Sequence, residues 1–200
     1  MLEKDIENLI ASYPNEFFPG EGFKLIGQQV VIEGRRLDIL FQDKHQRNII
    51  VEVKRGILSR EASGQIAEYY GLLKSANMDG IYELILCANT IPPERRTFLE
   101  TIGIQCKELG VVKITELAKK YYLMAIEKNN FDSMNNLGCL YEEEGNIELA
   151  KKYYLLSIEK NNSYAMNNLG DLYEKEGNIE LAKKYYLMAI ENSSSYSNVY

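Results

Sequence analysis

The sequence predicts an α/β domain followed by an all-α helical repeat array. Three observations carry this reading. In the first half, runs of strand-like alternation are separated by runs of helical spacing. The second half repeats itself at a fixed period, and no Gly/Ser/Pro-rich linker separates the two. The expected boundaries are residues 1–113 for the α/β domain and 114–200 for the array.

Residues 2 to 12 read as a short amphipathic helix, with Leu2, Ile6, Leu9 and Ile10 on one face. Strand-like runs follow at "KLIGQQVVIEG", "RRLDILFQ" and "NIIVEVKR". A helix from about Ser59 to Ala76 comes next, then a strand "YELILCAN". Pro92-Pro93 opens a further helix ending near Gly103, and "IQCKELGVVKI" closes the half. An antiparallel hairpin of "RRLDILF" and "NIIVEVK" is expected at the centre of the domain, packed by helices.

From Glu116 the chain reads "ELAKKYYLMAIEKNNFDSMNNLGCLYEEEGNI", from Glu148 "ELAKKYYLLSIEKNNSYAMNNLGDLYEKEGNI", and from Glu180 "ELAKKYYLMAIEN", a period of 32 residues and about two and a half copies. Each copy offers two helical stretches, with Gly145-Asn146 and Gly177-Asn178 as the turns between them. The array resembles the tetratricopeptide repeat. Its small and aromatic positions fall on Met166, Leu169, Gly170, Tyr173, Gly177, Ala182, Tyr186 and Ala189. The preceding copy has Met134, Leu137, Gly138, Tyr141, Gly145, Ala150, Tyr154 and Ser157, and a leading half-copy supplies Ala118, Tyr122 and Ala125. The usual closing proline is absent and the period is shorter than the common one; the related Sel1-type repeat shares the "LGxLY" core. The tyrosines and leucines are expected to fill the helix seams, a platform for stacking nucleic-acid bases being the alternative.

Composition narrows the function. The 200 residues are 46% hydrophobic and 26% charged, which suits domains with real cores rather than a disordered chain. The net charge is −6, and splitting after Lys113 gives 14 basic against 16 acidic residues, then 9 against 13. Neither half is basic, so any nucleic-acid contact must use local clusters such as Arg35-Arg36, Arg55-Arg60 and Arg95-Arg96. Three cysteines without CxxC spacing and a single histidine argue against a zinc site. His45 lies in a polar turn and reads as solvated. No apolar run is long enough to span a membrane, and "MLEKDIENLI" lacks the features of a signal peptide, so a cytoplasmic protein is expected.

The chemistry concentrates in the hairpin. In "NIIVEVKRG", Ile49, Val51 and Val53 share one strand face while Ile50, Glu52 and Lys54 share the other. If the turn is centred near His45, paired residue numbers sum to 90 and Asp38 faces Glu52, with Cα atoms roughly 5 Å apart. Facing carboxylates in a buried sheet repel each other, and a divalent cation between them removes the conflict. Hard oxygen ligands of this kind suit Mg²⁺ or Mn²⁺, held by Asp38, Glu52 and the carbonyl of Val53. Lys54 would orient or help deprotonate a water, or neutralise charge developing on a phosphate. A salt-bridged structural sheet is the competing explanation. Arg35-Arg36 could contact phosphate or be a solvated strand end.

Asp38 followed fourteen residues later by Glu52-Val53-Lys54 resembles the PD-(D/E)XK nuclease core. Gln65 and Tyr69, one helical turn apart in "GQIAEYY", resemble the Q-x-x-x-Y element of its RecB-like branch. The stretch "IENLIASYPNEFFPGEGFKLIGQQVVIEGRRLDILFQD" is similar to the catalytic domain of NucS-type (EndoMS) endonucleases, and the resemblance spans roughly residues 1 to 112. It implies a restriction-endonuclease-like fold and a Mg²⁺-dependent endonuclease acting on DNA, with RNA left open as a substrate. It also implies catalytic roles for Asp38, Glu52, Lys54, Gln65 and Tyr69, and for an acidic residue of the first helix: Glu7 by alignment, with Glu3 one turn earlier as the alternative. Gln28 and Gln29 are both candidates for contacts to the site or the substrate. The resemblance does not extend to the family's separate DNA-binding and dimerising domain, so its substrate preference and dimer are not expected to transfer; repeats follow instead, where a protein partner or self-association is expected. The alternative function is a repeat-based scaffold whose nuclease-like fold only binds nucleic acid.

Overall fold

The computed structural model describes residues 2–32, 34–75 and 82–197. The chain packs as two units, Leu2–Ile114 and the helices from Thr115 onward.

The first unit is a five-stranded sheet in the order β1-β2-β3-β4-β5. Helices α1 (Glu3–Ser12) and α2 (Pro14–Phe17) precede β1 (Lys24–Ile32), β2 (Arg35–Gln42) and β3 (Asn48–Ile57). Then come α3 (Arg60–Ser75), β4 (Tyr82–Thr90), α4 (Pro93–Thr101) and β5 (Gln105–Glu108). The expected end of α3 at Ala76 lies outside the described residues. The β1–β2 and β2–β3 pairs are antiparallel, as the hairpin predicts. The β3–β4 and β4–β5 pairs are parallel, which the hairpin did not announce. The reason is topological: a strand reached through a helix returns in the same direction. Burial on both sides explains why β3 and β4 read as nearly continuous apolar runs.

Helices α3 and α4 cover one face, where Ile66, Tyr70, Leu73, Leu99 and Ile104 meet Ile50, Leu84 and Leu86. Helix α1 lies against β1, β2 and β3 and buries Ile6, Leu9 and Ile10. Leu2, expected on that apolar face, is 64% exposed instead, because it precedes the helix and serves as its cap. Phe18, Phe23 and Phe41 form a ring cluster, with centroids 5.1 and 5.4 Å apart.

The hairpin register follows from its turn. Oδ1 of the buried Asp43 accepts the backbone N–H groups of His45 and Arg47, and Oδ2 accepts Arg47 Nε at 2.7 Å. With the turn pinned there, the ladder pairs Gln42 with Asn48, Phe41 with Ile49, Leu40 with Ile50 and Ile39 with Val51. Each pair sums to 90, the register expected from a turn centred at His45. His45 itself is exposed.

The second unit is helical. After α5 (Val111–Glu127), which carries the chain across the boundary, come α6 (Asp132–Glu143), α7 (Ile147–Ile158), α8 (Ser163–Lys175) and α9 (Ile179–Ser197). Gly145 and Gly177 adopt φ of 77° and 78°, a left-handed turn conformation that glycine reaches without strain. Asn146, Asn162 and Asn178 cap the helices that follow them. Ala150, Tyr154, Ala165, Leu169 and Leu172 make the core. A Cβ on Gly138 would lie 2.6 Å from the Tyr154 ring, and one on Gly170 would lie 2.6 Å from Tyr186. The small residues therefore exist to admit tyrosines. Tyr154 is buried, so packing rather than base stacking occupies it. An ion pair recurs at the period, Lys119–Glu144 at 2.6 Å and Lys151–Glu176 at 2.7 Å.

Candidate active site

The β2–β3 ladder stops at Ile39–Val51, one pair short of Asp38 and Glu52. At that point the Val53 N–H donates to Oδ2 of Asp38 at 2.8 Å, so a side chain replaces the strand as acceptor. Leu37 and Leu40 both join the α3-side core, which breaks strict alternation between them. The two strands split here, and Asp38 sits at the mouth of the split.

The opposite neighbour of Asp38 is distorted as well. In the β1–β2 register Gln28 pairs with Ile39 and Val30 with Leu37, leaving Gln29 across from Asp38. Gln29 has φ of 53°, in the left-handed region that non-glycine residues rarely enter. In that conformation its Nε2 donates to Glu7 Oε2 at 2.6 Å and approaches Asp38 Oδ1 at 3.5 Å. Gln28 turns outward and donates to Asn8 instead. Of the two glutamines, Gln29 reaches the carboxylates and Gln28 lies at the surface.

Both candidate glutamates of α1 reach this place. Oxygens of Glu3, Glu7 and Asp38 lie within 4.8 Å of one another. Glu7 is only 5% exposed and also accepts from Lys4 Nζ at 2.9 Å. Glu3 accepts from Lys54 Nζ at 3.2 Å and from the Arg55 N–H at 2.9 Å. They are one turn apart, so α1 presents both to the split.

Glu52 is 8% exposed and faces Asp38. Burial, and then the neighbouring Asp38 charge, push its carboxyl up to about 8. Lys54 Nζ stands 4.0 Å from Asp38 Oδ2. Burial opposes the charge on Lys54, but Asp38, Glu3 and Glu52 outweigh it and hold the ammonium above its usual range. Lys54 is thus a hydrogen-bond donor and a positive charge beside these carboxylates.

On the α3 side, Gln65 and Tyr69 line a cleft of about 310 Å³ with Glu52, Lys54, Arg35 and Arg36. Both arginines of the "RR" pair thus reach the cleft. Tyr69 is 7% exposed, and its hydroxyl is buried with no hydrogen-bond partner among the described residues. Burial, then the Glu52 charge, push that phenol above its ordinary range, so it is a donor without an acceptor.

Residues 2–125 match the endonuclease NucS C-terminal domain family. The chain belongs to that family. The matched segment contains Glu3, Glu7, Asp38, Glu52, Lys54, Gln65 and Tyr69, and it continues through Ala118, Tyr122 and Ala125 of the leading half-copy. Residues 131–162 and 163–196 match the tetratricopeptide repeat, so a NucS-like domain is fused to such repeats. A curated relative, endonuclease NucS of Corynebacterium kroppenstedtii, is 31% identical over 107 residues, 52% of this chain and 40% of that protein. The chain therefore spans less than half the length of that relative. Among solved structures, a repair endonuclease from Pyrococcus abyssi is 27% identical with a TM-score of 0.47, covering 55% of this chain and 47% of that one. An EndoMS complex with double-stranded DNA is 23% identical with a TM-score of 0.47, covering 55% and 46%.

Proposed function

We propose that this chain is a metal-dependent endonuclease that hydrolyses phosphodiester bonds in DNA, with its repeats serving protein interaction or assembly. The observation that carries the reading is the facing pair of a partly exposed Asp38 and a buried Glu52, with Lys54 4.0 Å from Asp38, at a strand split inside the NucS family match.

The donor set fits a hard divalent cation. Two mutually repelling carboxylates, one of them buried, are a costly arrangement that Mg²⁺ or Mn²⁺ would relieve. Asp38, Glu52 and the Val53 carbonyl would hold it, with Glu3 and Glu7 nearby. Such a cation supplies charge stabilisation at the phosphate and lowers the pKa of water.

The remaining steps belong to the protein. Lys54, held charged, orients the attacking water by donation and offsets negative charge gathering on the phosphate. The Tyr69 hydroxyl and the Gln65 amide donate to non-bridging or flanking phosphate oxygens, which supplies the acceptor Tyr69 lacks. Arg35 and Arg36 add charge at the cleft mouth. Gln29 is a positioning residue that ties Glu7 to Asp38. In this reading residues 1–113 are the nuclease domain and 114–200 the array. A cytoplasmic location completes the reading; among the described residues no helix is long and apolar enough to cross a membrane.

The test is incubation of supercoiled, linear and single-stranded DNA, and RNA, with Mg²⁺ or Mn²⁺, beside the Lys54→Ala variant. Cleavage by the wild type alone is expected. Activity indifferent to the substitution, or none on any substrate, sinks the proposal. DNA binding without cleavage would favour a repeat-based scaffold that uses the fold only for binding.

A further inference from the structure

The three arginine clusters separate in the folded chain. Arg35 and Arg36 line the cleft beside Glu52. Arg96 is spent on the fold, donating to the Cys106 carbonyl at 3.1 Å and pairing with Glu100 and Glu108. Arg60 and Arg95 come together from different segments in a second cleft of about 650 Å³, with Ser63, Gly64, Glu94 and Phe98. Because β3 and β4 are parallel, α3 and α4 both begin at the same end of the sheet, toward which Glu52 and Lys54 also lie.

Three features mark this second cleft among the described residues. The Nε of Arg95 is buried and lacks a hydrogen-bond partner among the described residues, while its NH1 lies only 3.6 Å from the exposed Glu94. Arg60 has no ion-pair partner among the described residues, although Glu94 shares the cleft. Phe98 leaves 47% of its surface in solvent beside these two cations.

Gly64 adds an independent sign. It sits inside α3, where glycine is a poor helix former, and a Cβ built on it meets nothing within 4 Å. Packing does not require glycine there, nor at Gly71 further along the helix; of the two, only Gly64 lines the cleft and leaves the helix backbone bare there.

Resting on the nuclease reading, we infer that this cleft binds one nucleotide of a single strand flanking the scissile phosphate. Arg60 and Arg95 hold its phosphate, Phe98 stacks on its base, and the bare backbone at Gly64 lets the strand lie close. The next residue, Gln65, lines the Glu52 cleft, so a strand crossing the first turns of α3 reaches both sites. An exposed ring sharing a cleft with two cations suits an unpaired base, whose face a duplex would cover.

The experiment uses the full chain, Mg²⁺ and a fluorescein-labelled phosphorothioate oligothymidine whose linkages resist hydrolysis, read by fluorescence anisotropy across salt concentrations. Phe98→Ala should weaken binding about tenfold. Arg60→Ala and Arg95→Ala should each reduce the slope of log affinity against log salt by about 0.7. Gly64→Ala should raise the melting temperature yet weaken binding, whereas Gly71→Ala, also in α3 with open space at its Cβ and outside the cleft, should raise it and leave binding unchanged.

If the wild type binds the probe and cleaves DNA but the four cleft variants bind like it, this inference falls and the nuclease reading stands. If a duplex competes as well as the single strand and Phe98→Ala changes nothing, the single-strand assignment is overturned. If the wild type neither binds nor cleaves, the nuclease reading itself fails.

Discussion

The N–H of Val53 donates to a carboxylate oxygen of Asp38 at 2.8 Å, at the position where β2 and β3 part. One side chain thereby terminates the ladder and anchors the acidic site. Asp38→Asn keeps an acceptor for that N–H, and its fold should be as stable as the wild type, relieved of the charge facing Glu52. Asp38→Ala strands the N–H of a fully buried residue and should cost about 1–3 kcal/mol by urea denaturation. Cleavage should vanish in both. An Asp38→Asn protein that still cuts DNA would remove Asp38 from the mechanism.

Glu52 makes stability depend on pH. Its carboxyl is raised from 4.5 to about 8 by burial and by Asp38. The folded state therefore holds a proton that the unfolded state releases. The stability this contributes is complete below pH 4.5 and is lost as pH rises through about 8. Without metal, Glu52→Gln should match the wild type in acid and exceed it by a few kcal/mol in alkali, on the order set by the shift. Urea titrations across the range check this, and a gap that shrinks with rising pH contradicts it. Adding Mg²⁺ to the wild type should narrow the gap and release a proton.

Lys54→Ala separates chemistry from folding. Its ion pair with Glu3 is partly exposed, so the stability loss should be at most about 1 kcal/mol. Cleavage should fall by about 10² or more, the usual effect of removing a charge-stabilising donor. Lys54 stays charged through neutral pH, so the wild-type rate should not rise with its deprotonation there. Initial rates against pH measure this directly.

Gln29→Gly tests whether the strained backbone serves the site. Glycine reaches φ of 53° freely, so the melting temperature should hold or rise. The bonds to Glu7 and Asp38 disappear, and cleavage should drop at unchanged DNA affinity. Equal loss of stability and activity would make Gln29 merely structural.

In the repeats, Gly138→Ala forces a methyl against the buried Tyr154 ring and should cost about 1–3 kcal/mol. Gly170→Ala makes the same clash with Tyr186, which is only partly buried and can yield, so its cost should be smaller. Thermal melts of the two variants rank them.

Much of this was written in local pattern. Alternation in "NIIVEVKRG" assigns the faces of β3, and a polar turn around His45 gives the pairing that Asp43 secures through side-chain bonds to its own turn. The period of 32 residues identifies the array, because each copy needs a small residue where a tyrosine from the paired helix enters. These features depend on neighbours in sequence or on a fixed repeat, so composition and spacing record them.

The arrangement around Asp38 was not written that way. Neither the strand split nor the left-handed Gln29 follows from alternation, since both break it. The approach of Glu3 and Glu7 to Asp38 depends on how α1 packs across β1–β3, and an acidic helix shows no preference between a buried and a solvated glutamate until packed. The meeting of Arg60 with Arg95 waits on two parallel crossovers that bring α3 and α4 to the same end of the sheet. The sequence by itself determined the elements and the residue types of the site, while the register followed only once the turn was placed at His45. Only the tertiary structure decided which carboxylates, amides and arginines converge, because those distances span separate elements joined by the twist and packing of one sheet.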